Sequence, residues 1–170
     1  RLRIDRAVIR MRIGRIADAW TDALEACALA GDGPDRARAE VTRAQVAYHR
    51  GEPAEVLAAL DRMGPSLSWR MEAKANQMRG LALLELGRLQ EARHVVLSQL
   101  AAFESEAHGF QRGLMLTDLG CIELALGRAP AAARLFEEVG RLFAGRDPYV
   151  EGAARSLLGV AHVENGDPEQ

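Results

Sequence analysis

The chain has 170 residues, a formal charge of -2, and 48% apolar, 27% charged and 5% aromatic residues. That composition supports one globular domain with a sizeable core and excludes wholesale disorder, and the near-neutral balance removes any general electrostatic case for binding nucleic acid or a membrane surface. No apolar run approaches the roughly 18 residues of a membrane span and no signal-peptide pattern opens the sequence, so the expected compartment is the cytoplasm.

The first expected helix, 2–12, is arginine-rich: Arg1, Arg3, Arg6, Arg10, Arg12 and Arg15 stand against Asp5. No aromatic is interleaved to stack on bases, which favours a solvated helix face over a basic handle. A second helix, 17–30, runs into Gly31-Asp32-Gly33-Pro34, which lacks the extended acidic series of a calcium loop and reads as a turn. Helices at 35–50 and 54–63 follow, and Gly64-Pro65-Ser66 ends the pair. In 68–86 and 89–104 the apolar residues Met78, Leu81, Ala82 and Leu86, then Leu89, Ala92, Val96 and Leu100, recur at three- and four-residue spacing. His108-Gly109 stands at the start of 107–126, which is followed by 130–144; after Gly145-Arg146-Asp147-Pro148 comes 149–165. Strand signals are scarce, and the expected class is all-α.

One short phrase recurs through these elements: "IGRIADA" from Ile13, "RGEPAEV" from Arg50, "LGRLQEA" from Leu86 and "LGRAPAA" from Leu126. Aligned on their glycines, Gly14, Gly51, Gly87, Gly127 and a fifth at Gly166 are separated by 37, 36, 40 and 39 residues, which is the signature of a repeat array. The glycine fits just past a helix C-terminus, where a left-handed backbone closes off the last carbonyls. Pro53, Pro130 and Pro168 follow at places where a helix restarts and a missing N–H costs little.

Seven residues before each glycine stand Ala7, Ala44, Gly80, Gly120 and Gly159; five after stand Ala19, Val56, Ala92 and Ala132. Opposed small side chains let two antiparallel helices approach closely, with Ala23, Leu60, Val96 and Phe136, nine after, filling the space beside them. Tyr48, Leu84, Leu124 and Val163, three before, are expected in the core.

Helix, turn glycine, helix, with a small residue seven before and an alanine five after, resembles the tetratricopeptide repeat (TPR) family. The closest phrases are "LGCIELALGRAPAAARLF" from Leu119 and "RGLALLELGRLQEARHVV" from Arg79, and the likeness spans the chain as four repeats plus the first helix of a fifth. Two features depart from the family: its 34-residue period is exceeded, and the aromatic it carries eleven before the glycine is replaced by Arg3, Glu40, Asn76, Leu116 and Arg155. The long period resembles arrays in large bacterial transcription activators and signal-transduction ATPases, and a single lysine, Lys74, among 22 basic residues suggests a GC-rich bacterial genome. The resemblance implies a right-handed superhelical solenoid of antiparallel hairpins over 1–170; the missing initiator methionine and the partial fifth repeat give the expectation of a fragment of a larger protein.

A lone hairpin cannot bury its apolar stripe, so stacking supplies the core and leaves a concave face. The resemblance implies that this face is lined by the first helix of each repeat. Carried over by position, it holds Arg38, Val41, Gln45 and His49; Lys74, Gln77, Leu81 and Glu85; Leu114, Thr117, Cys121 and Ala125; and Ser156, Val160 and Glu164. The Lys and Asn set with which some members grip a peptide's C-terminal carboxylate is missing, because the matching positions hold Ile4, Val8, Val41 and Gln45. Leu81, Leu114, Cys121 and Val160 either line an apolar groove for an amphipathic segment or pack between repeats.

Cys27 and Cys121 lie far apart without CxxC or histidine spacing, which reads as free buried thiols rather than a disulfide or zinc site. His49, His94, His108 and His162 fall in different repeats, and no GxSxG, HExxH or phosphate loop occurs, so neither enzyme nor cofactor is expected. The leading expectation is a scaffold that binds a protein or peptide segment, with no direct nucleic-acid or membrane partner. The alternatives are a sensory segment that takes a small molecule or sister domain to control an attached module, and self-association.

Overall fold

The computed structural model describes residues 2–64, 68–101 and 109–166. The expected turn residues Pro65, Ser66 and His108, the helix ends at 102–104 and 107–108, Arg1 and Pro168 lie outside the described residues. Every described regular element is an α-helix: α1 (Leu2–Arg12), α2 (Ile16–Leu29), α3 (Pro34–His49), α4 (Pro53–Arg62), α5 (Trp69–Glu85), α6 (Leu89–Leu100), α7 (Gly109–Ala125), α8 (Ala129–Phe143) and α9 (Pro148–Glu164).

The boundaries follow from local chemistry. Gly14, Gly51, Gly87, Gly127 and Gly166 have φ of 79°, 71°, 70°, 71° and 82°, so all five repeat glycines are left-handed helix stops. At Gly14 the glycine N–H donates to the Met11 carbonyl at 3.1 Å and Arg15 N–H to the Arg10 carbonyl at 2.8 Å, the paired bonds of a Schellman cap. Gly51 and Gly127 close their helices the same way, through Glu52 to Ala47 at 3.1 Å and Arg128 to Glu123 at 2.8 Å. Five helices start one residue earlier than expected, and in three of them Pro34, Pro53 and Pro148 are themselves the first helical residues, where the ring's fixed φ suits the turn and no donor is lost. Asp147 caps α9 by accepting from Tyr149 N–H at 3.1 Å and Val150 N–H at 3.2 Å.

The chain divides into two compact units, residues 1–87 and 88–170. In unit 1, α1 pairs with α2 and α3 with α4, while the first helices α1, α3 and α5 also pack side by side. The small residues expected at these crossings are buried: Ala7, Ala19 and Ala23 share a cluster with Val46, and Ala44, Val56 and Leu60 share another with Val41, Ala47, Ala59, Ala75 and Ala82. In unit 2, α7 packs on α6 and α8, and α9 packs chiefly on α8.

The α7–α8 crossing depends on glycine. A Cβ added at Gly120 would lie 2.7 Å from Cζ of Phe136, and one at Gly113 would lie 2.7 Å from Cζ of Phe143, both inside van der Waals contact. Two phenyl rings seven residues apart on α8 therefore seat on two glycines seven residues apart on α7. The repeat spacing pointed to Gly120 and Phe136; Gly113 and Phe143 form a second such pair that it did not reveal.

Two expectations fail on α9. Val163, expected in the core, is 62% exposed, and Gly159, at the same repeat position as Gly120, has nothing within 4 Å of where a Cβ would stand. Both lie on a face of α9 that no second helix of its own repeat covers among the described residues.

Candidate functional site

Three carboxylates are buried in the units, each held by arginine. Asp22 on α2 accepts from Arg6 Nε at 2.8 Å and Arg10 Nη1 at 2.7 Å, both donors coming from α1. The Arg6 hydrogen bond, aided by the Arg10 charge, holds the Asp22 carboxyl below the usual carboxylate range. Arg3 pairs with Glu25 and Arg15 with Asp18, so much of the N-terminal arginine cluster is spent inside unit 1. Glu40 lies between Arg36 at 3.3 Å and Arg62 at 3.5 Å, in the slot eleven before the glycine. In unit 2 Leu116 fills the matching slot, and Glu123 accepts from Arg93 at 2.6 Å and Arg128 at 3.3 Å. A buried ion needs such partners to stay charged. The sequence reading missed all three, and only Arg36–Glu40, four apart on one helix, leaves a local trace.

The thiols are poor nucleophiles. Burial, with the Glu40 charge beside it, pushes the Cys27 thiol up to about 11, and burial raises that of Cys121. Among the described residues no group of three or more His, Cys, Asp or Glu could hold a metal ion. Among them, too, no helix is long and apolar enough to cross a membrane.

Of the expected inner-face residues Val41 is buried in the core of unit 1, and the others are half-buried or exposed. In unit 1 the structure brings Arg38, Gln45 and Lys74 around one cleft of about 310 Å³, together with Ile4, Val8 and Val41 of the same repeat positions. Thr42, Ser68, Arg70 and Met71 complete its lining. The first helices build it because their side-by-side packing leaves a trough between α1, α3 and α5. His49, its ring 5.9 Å from that of Tyr48, and Gln77, Leu81 and Glu85 farther along α5 do not line this cleft.

In unit 2 the expected residues are more engaged in the fold. Cys121 packs against the cluster of Ala132, Phe136 and Ala161. The Thr117 hydroxyl donates to the Gly113 carbonyl at 3.0 Å and that of Ser156 to the Gly152 carbonyl at 3.1 Å, so both are turned back on their own helices. Leu114 is half-buried, and Val160 is exposed on α9.

No protein-family model matches the chain, and no curated protein matches it either. Its backbone is similar to two crystal structures of a Podosopora anserina kinesin-light-chain protein with nearly identical TPR-like repeats, one of them a single-substitution variant. Both cover 98% of this chain and 86% of the other at 19% identity, with TM-scores of 0.78 for the variant and 0.75. At that identity the likeness establishes the fold: an all-α, TPR-like helical repeat.

Proposed function

We propose that the chain is a non-enzymatic scaffold that binds a protein or peptide segment on the inner face of its first helices. One observation carries this reading: α1, α3 and α5 contribute Ile4, Val8, Arg38, Val41, Gln45 and Lys74, all at repeat positions that face inward in TPR arrays, to a single cleft. An apolar floor with a few polar groups around it is the chemistry of a recognition groove. The test is a photo-crosslinking residue at Gln45, compared with one at Ala28, which is exposed on the second helix α2. Discrete adducts from cell extract at Gln45 and none at Ala28 are expected; equal labelling, or none at either, overturns the assignment.

Self-association is a second reading, and the face of α9 left uncovered among the described residues favours it. Tyr149, Val160 and Val163 are exposed there beside the open Gly159, and apolar side chains grouped on one face favour association. Light scattering over a concentration series would show a dimer that Val160→Glu dissolves; a monomer throughout removes this reading.

A further inference from the structure

The unit 1 cleft carries a charge asymmetry out of keeping with the chain's net charge of -2. Arg38, Arg70 and Lys74 line it, and no aspartate or glutamate does. Two other clefts are mixed: the one between α8 and α9 sets Glu137 and Glu151 beside Arg141 and Arg155, and the one by the α2–α3 turn sets Asp35 beside Arg3.

The three cations differ in how they are neutralised. Arg38 donates to Asp5 at 2.7 Å on the outer edge, while Arg70 lies over the Trp69 ring at 5.3 Å. Neither Arg70 nor Lys74 has a carboxylate within ion-pair distance among the described residues, whereas most other arginines of the unit do. Lys74 is also pulled below the usual lysine range, first by loss of water around it and then by the Arg12 guanidinium. It is a cation set beside another cation, and an incoming carboxylate would relieve it. Beneath lie Ile4, Val8, Val41 and Met71, an apolar floor that a bare inorganic anion would not use.

We propose that this cleft binds a short peptide segment in which acidic residues alternate with bulky apolar ones, the acids meeting Arg70 and Lys74 and the apolar side chains seating over Val41 and Met71. The proposal rests on the scaffold reading and specifies its partner. Charge complementarity of this kind sets partner choice and association rate, and mutation of rim charges reads out as salt sensitivity.

The test pans a displayed library of random 12-residue peptides against the whole chain, then titrates the synthetic form of the most enriched sequence. Enrichment of Asp and Glu interleaved with Leu, Ile, Phe or Trp is expected. Arg70→Glu combined with Lys74→Glu should weaken the synthetic peptide by about tenfold or more while leaving the helical circular dichroism unchanged. Added salt should weaken it in the parent chain and little in the double variant. Recovered peptides without acidic enrichment that still lose binding in Val8→Asp, at a half-buried position of the cleft floor, would overturn the acidic class and keep the groove. No recovered peptide would overturn both. Binding of dodecanoate in place of any peptide, or a dimer abolished by the same charge reversals, would assign the cleft to a small amphiphile or a second copy and overturn the proposal.

Discussion

Units 1 and 2 make the same helical hairpin with different side chains at the crossing. In unit 1 the close approach is alanine against alanine or leucine, as with Ala7 and Ala23 or Ala44 and Leu60. In unit 2 it is glycine against phenylalanine, as with Gly120 and Phe136 or Gly113 and Phe143. The repeat fixes the combined size of the two partners rather than either residue alone: where one helix gives up its Cβ, the other supplies a ring. Tolerance differs accordingly, since a leucine over an alanine can shift rotamer, whereas a ring in contact with backbone has little room to move.

The largest expected effect is removal of a ring. Phe136→Ala should cost about 3–5 kcal/mol in denaturant unfolding, because a fully buried side chain leaves a cavity that two packed helices cannot close. Leu60→Ala in unit 1 should fall toward the lower end of the roughly 2–5 kcal/mol range for such truncations. Equal losses would erase the distinction between the crossings.

Overfilling comes next. Gly120→Leu should destabilise by at least about 1–3 kcal/mol, whereas Gly159→Ala, at the same repeat position but with open space where the Cβ would stand, should stabilise by up to about 1 kcal/mol through helix propensity alone. Thermal melts of the two variants should therefore move in opposite directions. A shared sign would mean that repeat position, rather than the neighbour across the crossing, decides the outcome.

Much of this was legible beforehand. The spacing of Gly14, Gly51, Gly87, Gly127 and Gly166 gave the hairpins, because a left-handed stop has few chemical solutions. The residues seven before, five after and nine after gave the crossings, because size is written directly in residue identity. Val163 and Gly159 escaped because their burial depends on a neighbouring helix, which the local pattern cannot supply. Asp22, Glu40 and Glu123 escaped because a carboxylate reads as surface until its arginines are placed around it; Arg6 and Arg10 reach Asp22 from another helix, and Arg93 reaches Glu123 the same way. In the cleft, Arg38, Gln45 and Lys74 were legible by position, while Arg70 was not, since it belongs to the first turn of α5 and no repeat position marked it.

Each unit also buries a carboxylate at its first crossing, Glu123 with Arg93 in unit 2 and, in unit 1, Asp22 with two arginines where α1 meets α2. Because the folded-state pKa of Asp22 is depressed, its stabilisation is present above the unfolded value of about 3.9 and is lost as pH falls through the lower folded value. Asp22→Asn should cost about 1–2 kcal/mol at neutral pH. It should also flatten the fall in stability on acidification below about pH 4. A variant whose acid unfolding profile parallels that of the parent chain would show that the Arg6 and Arg10 bonds carry no stability.

The smallest effect on folding is expected at Lys74, and it separates the cleft from the crossings. Every crossing residue is fixed by what it touches inside its unit, so changing it alters stability. Lys74 instead faces Arg12 without a carboxylate among the described residues, so its charge is unfavourable to the folded chain on its own. Lys74→Glu should therefore leave unfolding free energy within about 0.5 kcal/mol of the parent or raise it slightly, because a carboxylate replaces an ammonium beside a guanidinium. The same substitution should weaken binding of an acidic peptide. Residues kept for the fold lose stability when changed, whereas a residue kept for a partner loses affinity and can gain stability. If Lys74→Glu instead unfolded the chain at lower denaturant with no change in peptide affinity, Lys74 would belong with the crossing residues and the cleft would lose its central cation.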